Sequence, residues 1–173
     1  MASPTADVSV RVAWSDDAAA VAALQVDHWA RSYAVDLDLE QTAGAWVGAM
    51  RSPGDGRNRV LVALERNRVV GYAVVSPAAD PDCDPVTDGE LQELVVSADE
   101  VGKGHGSRLL QAAVDTMQAD RFTRAVTWTA SDADDVRRFF TDAGWAPDTA
   151  HRELDLDGTG ATTLRQVRLH TAL

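Results

Sequence analysis

The hydrophobic and polar positions along the chain predict a regular succession of strands and helices. Residues 8–13 alternate between apolar and polar side chains, which is typical of a half-buried strand. The predicted strands are 8–13, 60–64, 69–75, 91–96, 125–129, 145–156 and 162–170. Apolar residues at helical spacing predict helices near 15–33, 40–50, 104–119 and 131–143. This order predicts one α/β domain, with a mixed central sheet of six to seven strands flanked by about four helices.

Cap and turn residues separate these elements. Ser15 and Ser131 are predicted N-caps, because a serine hydroxyl can accept from the free amides of a helix start, and Gly144 is a predicted C′ glycine. Residues 65–68 join two apolar runs and predict a hairpin. Residues 77–89 are rich in proline and aspartate, and we expect a solvated loop whose charge could attract a cationic ligand.

Composition and charge limit the classes of function. With 173 residues, 45% of them hydrophobic, the chain can bury one core, so residues 1–173 are expected to form a single domain. The net charge of -11 disfavours nucleic acid as a partner, since phosphate backbones bind clustered Lys and Arg. No apolar run approaches the ~20 residues of a membrane span, and the N-terminus lacks a signal-peptide pattern, so we expect a cytoplasmic protein that binds no membrane. The lone cysteine, Cys83, excludes a cysteine-rich metal site, and no metal is expected.

The segment with the clearest chemistry joins the strand 91–96 to the helix 104–119. Gly102, Gly104 and Gly106 alternate in the turn between them. The first amides of a helix have no internal acceptor, and they add to the positive end of the helix dipole. Glycine allows positive φ and lets a ligand approach the backbone, although glycines also occur at turns for conformational reasons alone. The segment predicts an anion site suited to a diphosphate.

Two motifs in this half of the chain resemble those of one enzyme family. The turn, Val-Gly-Lys-Gly-His-Gly at residues 101–106, resembles the acetyl-CoA motif of the GNAT superfamily of N-acetyltransferases, Gln/Arg-x-x-Gly-x-Gly/Ala. Residues 136–145, Val-Arg-Arg-Phe-Phe-Thr-Asp-Ala-Gly-Trp, resemble the family's downstream helix, Ala-x-x-Phe-Tyr-x-x-x-Gly-Phe. The resemblance covers about residues 8–170. It implies a GNAT-like domain that transfers an acyl group from acetyl-CoA to an amine.

The resemblance also implies how the cofactor is bound. Backbone groups of Leu94, Val95 and Val96 would pair with the pantetheine arm, and an amide at a bulge in the same stretch would polarise the thioester carbonyl. The residues that would bind the diphosphate are Val101, Gly102, Lys103, Gly104, His105, Gly106 and Ser107. The side chain of His105 is expected to be solvated.

Candidate residues for the acceptor side lie on the first helix and the fourth strand. An ammonium has no lone pair, so the acceptor amine must lose a proton. In the family a carboxylate on the fourth strand often serves, and Glu93 and Glu90 are the candidates. Glu93 lies nearer the expected bulge, and burial would raise its pKa toward the useful range; a solvated glutamate is the alternative. His28 and Tyr33 occupy the part of the first helix that often lines the acceptor pocket, although packing explains Tyr33 at least as well.

Two positions depart from the family pattern. Val101 replaces the usual Gln or Arg, so one side-chain phosphate contact is missing, and Lys103 or Arg108 would have to supply it. Phe140 replaces the Tyr that protonates the departing thiolate in many members, and phenylalanine has no proton to donate. Transfer without that acid stays possible, because free thiols have a pKa near ~8.5 and a thiolate is a tolerable leaving group.

Three hypotheses about function remain open at this point. The leading one is transfer of an acetyl group to the amine of a small molecule, by direct attack in a ternary complex. The second keeps the chemistry and makes the acceptor a protein N-terminus or lysine. The third is a non-catalytic acyl-CoA sensor, which the departures at Val101 and Phe140 favour. A homodimer is expected only from the habit of the family.

Overall fold

The computed structural model describes residues 7–173 and confirms the predicted order of elements. The strands are β1 (Val8–Val12), β2 (Arg59–Glu65), β3 (Arg68–Pro77), β4 (Asp88–Val96), β5 (Arg124–Ala130), β6 (Ala146–Asp155) and β7 (Thr163–Ala172). The helices are α1 (Ala18–Tyr33), α2 (Leu39–Arg51), α3 (His105–Ala119) and α4 (Asp134–Asp142). The N-terminal stretch that lacks a signal-peptide pattern lies almost wholly outside the described residues. Within residues 7–173, no helix has the length and apolar character needed to cross a membrane.

The strands form one sheet that opens in its middle. Their order is β1-β2-β3-β4-β5-β7-β6, and neighbours are antiparallel except β4 and β5, which run parallel. These two strands pair only from Asp88 to Leu91 on β4. Beyond Leu91 they separate, so the edge of β4 that faces β5 has no strand partner over residues 92–96. This open edge is the feature of the fold that positions the candidate site.

Each face of the sheet packs against a different pair of helices. The larger core lies between the sheet and α3 with α4; its bulkiest buried members are Leu61, Leu91, Leu109, Leu110, Met117, Phe122, Phe140, Trp145 and Leu169. A smaller cluster lies under α1 and α2 and contains Val21, Val62, Tyr72 and Val95. Full burial of each such aliphatic side chain contributes about 1.5–3 kcal/mol. The sheet is therefore a central layer that is covered by helices on both faces.

A bulge in β4 changes which side chains share a face. Leu91 pairs with Val75 and Glu93 pairs with Val74, so Gln92 is an extra residue without its own partner on β3. Leu91 consequently packs into the α3 core, whereas Glu93 turns toward α1. The sequence analysis expected a bulge of this strand near 94–96; the bulge lies two residues before Leu94, at Gln92, and residues 94–96 keep regular pairing with β3.

Two of the predicted helix starts are wrong. A single 3-10 turn at Ser15–Asp17 precedes α1, and the carboxylate of Asp17, not the Ser15 hydroxyl, accepts the Trp14 amide at 2.7 Å. The Ser131 amide still pairs with Arg165 of β7 at 2.9 Å, so Ser131 prolongs the sheet ladder and α4 begins three residues later. Gly144 follows the C-cap of α4 with φ +91°, as predicted.

Ion pairs connect the loop between β3 and β4 to the far end of the sheet. Arg168 of β7 is buried, and its guanidinium contacts Asp80 at 3.0 Å, Asp82 at 2.6 Å and Asp148 at 2.6 Å. Trp128 of β5 donates from Nε1 to Asp80 at 2.9 Å. The expectation of a merely solvated loop is therefore wrong, because a buried guanidinium needs carboxylate partners.

Candidate active site

A cleft of about 380 Å³ opens where β4 and β5 separate. Leu94 and Val96 of β4 form its floor, and Val136, Phe139 and Phe140 of α4 form the facing wall. The turn between β4 and α3 closes one end, with Gly102, Gly104, His105, Gly106 and Ser107 in the lining. The cleft therefore presents apolar walls for an extended chain and main-chain groups for an anionic end.

The turn presents unbonded amides to the cleft. Gly102 and Gly104 have φ of +80° and +84°, a region that residues with a Cβ rarely adopt. Gly104 is the N-cap of α3, and the first bond of the helix joins the Arg108 amide to the Gly104 carbonyl at 3.1 Å. The three amides before Arg108, within the described part of the chain, have no main-chain acceptor. Free amides at the start of a helix are the donors that an anion site of the predicted kind requires.

The side chain of His105 is not solvated, contrary to the sequence prediction. It is 2% exposed, and its Nε2 lies 3.1 Å from the Glu65 carboxylate. Its position at the first turn of α3 directs the ring under the turn, where burial requires a polar partner. Val101 is 67% exposed and lies at the edge of the cleft. His105 is thus a structural support of the turn, and only its backbone faces the cleft.

Beside the turn, the Glu100 carboxylate forms ion pairs with two basic side chains. Its side chain is buried and accepts from Lys103 Nζ at 2.7 Å and from the Arg68 guanidinium of β3. These two cations lower the pKa of Glu100 to about 2, with Lys103 the larger cause. Arg108 belongs to the same region and has no carboxylate partner among the described residues.

Glu93 lies on the opposite face of β4, under α1. Its carboxylate accepts from Trp29 Nε1 and from Gln25 Nε2, each at 3.1 Å. Burial raises the pKa of Glu93, and these hydrogen bonds oppose the rise in part. The Tyr72 hydroxyl is buried without a hydrogen-bond partner in the described residues, and the nearby Glu93 charge adds to the burial that raises the Tyr72 pKa. The alternative of a solvated Glu93 is wrong.

His28 and Tyr33 lie on α1, the helix that donates hydrogen bonds to Glu93, and their place in an acceptor pocket stays a prediction. Their rings meet edge to face at 5.7 Å on α1, and both side chains are half-buried. Burial, with a smaller effect of the Glu93 charge, raises the pKa of Tyr33. Burial lowers the pKa of His28, which favours its neutral form. A half-buried carboxylate thus shares one surface with a phenol and an imidazole.

Sequence reasoning missed Gln25 and Trp29 as partners of Glu93. The two residues and Tyr33 recur at intervals of four, so they share one helix face, and this spacing was the available signal. Trp46 of α2 donates to Gln25 Oε1 at 2.9 Å, which directs the Gln25 amide nitrogen toward Glu93. Helices α1 and α2 together therefore set the position of the carboxylate.

Glu90 lies near charged groups that differ from the residues around Glu93. The bulge places it on the same face as Glu93, but the groups that affect it are Asp80, Arg152 and Arg168. Burial is the main cause that raises the Glu90 pKa, and the Asp80 charge adds to it. Arg152 stacks over the Trp128 ring, with its guanidinium carbon 4.2 Å from the ring centroid, and its Nη1 lies 3.9 Å from Asp80 Oδ1. The structure thus separates the two candidate carboxylates into two environments.

Phe140 faces the cleft without a group that can transfer a proton. It is 4% exposed and packs against Phe139 and Trp145, with ring centroids 5.3 Å apart in both pairs. Its aromatic ring fills the cleft wall, which explains why an apolar residue is stable there.

The family of the chain follows from comparison with known proteins. Residues 20–145 match the model of the acetyltransferase (GNAT) family, which is well over half of the chain. The chain belongs to the GNAT family. As a GNAT member it is an acetyl-CoA-dependent N-acetyltransferase, and its splayed strands, glycine turn and apolar cleft suit that co-substrate.

Solved acetyltransferase structures share this fold at low sequence identity. YncA from Salmonella typhimurium, whose structure contains its cofactor acetyl-CoA, is 22% identical with a TM-score of 0.75 over 96% of this chain and 94% of its own. A ribosomal-protein-alanine N-acetyltransferase from Brucella melitensis is 21% identical, with a TM-score of 0.76 over 95% and 99%. An N-acetyltransferase from Kribbella flavida is 20% identical, with a TM-score of 0.74 over 99% and 100%. No curated protein matches the sequence.

Proposed function

We propose that this GNAT enzyme transfers the acetyl group of acetyl-CoA directly to the amine of a small molecule, with Glu93 as the general base. The observation that carries the proposal is the setting of Glu93. Its carboxylate is half-buried with a raised pKa, on the strand whose open edge borders the cofactor cleft. A base with a pKa moved toward neutrality can accept a proton from an ammonium at physiological pH.

The donor half of the proposal assigns the cleft to acetyl-CoA. The pantetheine arm pairs with the unpaired edge of β4 at Leu94, Val95 and Val96, as an added strand would. The amides at the start of α3 bind the diphosphate, and the segment that contributes is residues 101–107. An amide near the bulge at Gln92 polarises the thioester carbonyl, an effect worth about 3–4 kcal/mol for single oxyanion donors in other enzymes.

The chemical step needs only groups that this arrangement supplies. The amine nitrogen attacks the thioester carbon, its proton passes to Glu93 directly or through water, and the carbon–sulfur bond breaks. The departing group leaves as a thiolate, since Phe140 has no proton to give and a thiol pKa near ~8.5 makes that charge tolerable. Glu90 is the reserve candidate for the base, because its pKa is also raised by burial.

The acceptor side favours a small cationic amine. Tyr33, His28 and Glu93 share one surface, where aromatic faces and a carboxylate both attract an ammonium. The net charge of -11 adds a long-range attraction for a cation. A peptide amine at a protein N-terminus or lysine is the alternative acceptor.

An acetylation screen tests this proposal. Purified enzyme with acetyl-CoA is assayed for thiol release over a panel of diamines, amino sugars, amino acids and short peptides with free N-termini or lysine. We expect turnover with at least one small amine and a lower kcat/KM for the peptides. Higher kcat/KM for the peptides would favour the protein-acceptor alternative, and acetyl-CoA binding without turnover on any amine would favour a sensor.

A further inference from the structure

The face of the sheet that carries Glu93 continues from β4 onto β5. Glu90 shares this face and pairs with Val126, so the Val126 side chain projects to the same side. Trp128 projects there as well, because it lies two residues further along β5. Pairing with β4 ends at Thr127, so Trp128 is the first β5 residue beyond it. Glu93 and Trp128 therefore stand on opposite sides of the closed end of the gap, on one face of the sheet.

Arg152 of β6 covers the Trp128 ring. Its guanidinium carbon lies 4.2 Å from the ring centroid, and its Nε donates to Gln166 Oε1 at 2.8 Å. Gln166 is buried, so the stack and the hydrogen bond hold the guanidinium in one orientation. The side chain of Arg152 is 33% exposed, and it lines a cleft of about 380 Å³ whose walls include Ser131 and Gln166. A fixed guanidinium that a ligand can reach thus lies over the β5 side of the gap.

The two terminal nitrogens of Arg152 accept no hydrogen-bond partner from residues 7–173, since only Nε is bonded. The nearest carboxylate oxygen in this part of the chain, Asp80 Oδ1, lies 3.9 Å from Nη1, beyond the range of a hydrogen bond. Asp80 is bonded through its other oxygen to Arg168 at 3.0 Å and to Trp128 Nε1 at 2.9 Å. Arg152 therefore carries a charge and a pair of donors that its neighbours leave unmatched.

Comparison with Arg168 shows what Arg152 lacks. Arg168 bonds directly to three aspartates, and these contacts, of which the one to Asp82 is the largest cause, raise the pKa of its guanidinium. Burial instead lowers the pKa of Arg152, because the attractions of Glu90 and Asp80 do not offset the lost hydration. A carboxylate bound at Arg152 would supply the missing counter-charge, and a planar guanidinium binds a carboxylate through two parallel hydrogen bonds.

The charges that flank the gap on this face have opposite signs. Glu93 provides a carboxylate on the β4 side, and Arg152 provides a cation on the β5 side. Of the acidic groups near Arg152, Asp80 is bonded to Arg168, and burial raises the pKa of Glu90, which favours its neutral form. An acceptor that enters from this face meets an anion on one side and a cation on the other. An amine that also carries a carboxylate matches both.

We propose that the acceptor of this enzyme is an amino acid, and that Arg152 binds its carboxylate while its amine faces Glu93. The inference rests on the proposed function, because it takes transfer to a small amine and Glu93 as given. It narrows the acceptor to a zwitterion, and the products are an N-acetyl amino acid and coenzyme A. Diamines and amino sugars lack the group that Arg152 would bind.

Paired substrates measure the contribution of the carboxylate. Thiol release from acetyl-CoA is followed with the common α-amino acids, β-alanine and γ-aminobutyrate, each beside its carboxamide, which keeps the amine and removes the negative charge. We expect the wild type to favour at least one amino acid over its carboxamide by about 10- to 100-fold in kcat/KM, the range for a hydrogen bond between charged groups. Arg152→Gln should lose this preference, mainly through a higher KM for the amino acid. Comparing the two enzymes cancels the difference in amine pKa between an acid and its carboxamide.

Arg165→Gln is the matched control. Arg165 precedes Gln166 on β7, so its side chain projects to the other face of the sheet, and it is 81% exposed in its pair with Glu153. The variant loses the same charge and should keep the wild-type preference for the acid. Arg152→Lys keeps the charge without the planar fork and should show a smaller preference than the wild type. KM for acetyl-CoA should stay unchanged in all three variants, which separates acceptor binding from general damage to the fold.

The outcomes separate this inference from the proposed function. Equal kcat/KM for amino acids and their carboxamides in the wild type would overturn the inference, even where Arg152→Gln fails to fold. A preference that survives in Arg152→Gln, or that disappears equally in Arg165→Gln, would overturn it too. So would turnover only of amines that lack a carboxylate, with the proposed function left standing. Absence of acetyl transfer to every amine tested would instead overturn the proposed function.

Discussion

Hydrogen bonds from α1 surround the carboxylate of Glu93 on the face of β4 that packs against that helix. Trp29 and Gln25 donate to its two oxygens, and burial makes the charged form costly. The balance raises the pKa above its ordinary value. A base must be deprotonated to act, so activity should rise with pH through this raised pKa and fall away below it.

Glu93→Gln tests this role at the level of one residue. The amide keeps the shape and can still accept from Trp29, but it cannot take a proton. We expect kcat to fall by about 10²- to 10⁴-fold with KM for acetyl-CoA nearly unchanged. The acidic limb of the pH–rate profile should disappear.

Steady-state kinetics from pH 5 to 9 check the prediction, with Glu90→Gln as the matched variant on the same strand face. A Glu93→Gln enzyme with wild-type kcat across this range would remove Glu93 as the base. Loss of the acidic limb in Glu90→Gln alone would transfer the role to Glu90.

Gly104 offers a second test, on the cofactor side. Gly104→Asp adds negative charge and bulk beside the amides that are proposed to bind the diphosphate, so CoA affinity should fall by about 100-fold or more. Gly104→Ala is the control, because it also places a Cβ at φ +84°, a strain of about 1–2 kcal/mol, but adds no charge. The difference between the two variants therefore measures the effect of the negative charge. Titration calorimetry on both folded variants checks the difference; equal affinities in the two would contradict the assigned position of the diphosphate.

At the scale of elements, the buried Arg168 connects β7 to the loop between β3 and β4. Its three carboxylate partners come from that loop and from β6. Arg168 is the main reason that the pKa of Asp82 is lowered, to about 2. Ion pairs therefore hold this loop to β6 and β7, which lie on the far side of the gap between β4 and β5.

Arg168→Leu should destabilise the protein strongly, because it removes the buried cation that Asp80, Asp82 and Asp148 share. Breaking a buried pair from one side costs about 3–5 kcal/mol. Arg165→Leu, on the same strand but 81% exposed in its pair with Glu153, should cost less than about 1 kcal/mol. Urea unfolding at pH 7 measures both values. Similar losses in the two variants would show that the network around Arg168 contributes little.

Features that depend on neighbouring residues in the sequence could be predicted, whereas features that depend on contacts with distant parts of the chain could not. The glycine turn and the Gly144 stop follow from φ requirements within a few residues. The bulge at Gln92 depends on its register against β3, which no local pattern reveals. Ser131 looked like an N-cap, yet the ladder to β7 keeps it in the sheet.

The candidate site divides in the same way. The turn proposed to bind the diphosphate is one contiguous segment, residues 101–107, so a local motif was enough to single it out. The acceptor half brings together residues from α1, α2 and β4 that lie far apart in the chain, and Gln25 and Trp29 were missed. The Glu100 contact with Arg68 joins the 3-10 turn Ala98–Glu100 to a β3 residue 32 positions earlier in the chain, so the sequence could not show that Glu100 has two cationic partners.

At the scale of the whole molecule, acid should weaken the fold partly through Glu100. Its pKa in the folded protein is lowered to about 2 by Lys103 and Arg68. A lowered pKa means stability that is fully present above the unfolded pKa near ~4.5 and is lost as pH falls toward 2. Other lowered carboxyls, Asp82 among them, contribute in the same window.

Glu100→Gln should therefore flatten the dependence of unfolding free energy on pH between about 5 and 2. The variant is expected to be less stable than the wild type at pH 7, and the gap should narrow as pH falls. Glu40→Gln, at an exposed position of α2, serves as the control. Denaturant unfolding at a series of pH values checks this; a constant gap across the range would mean that the ion pairs of Glu100 do not stabilise the fold.

The central claim is that acetyl-CoA lies between the splayed strands with its diphosphate at the start of α3. A crystal structure of the enzyme with coenzyme A tests it most directly. We predict pantetheine along Leu94–Val96, and diphosphate oxygens within about 3 Å of the amides of residues 105–107. Coenzyme A bound elsewhere, with those amides bonded to protein side chains, would contradict the account.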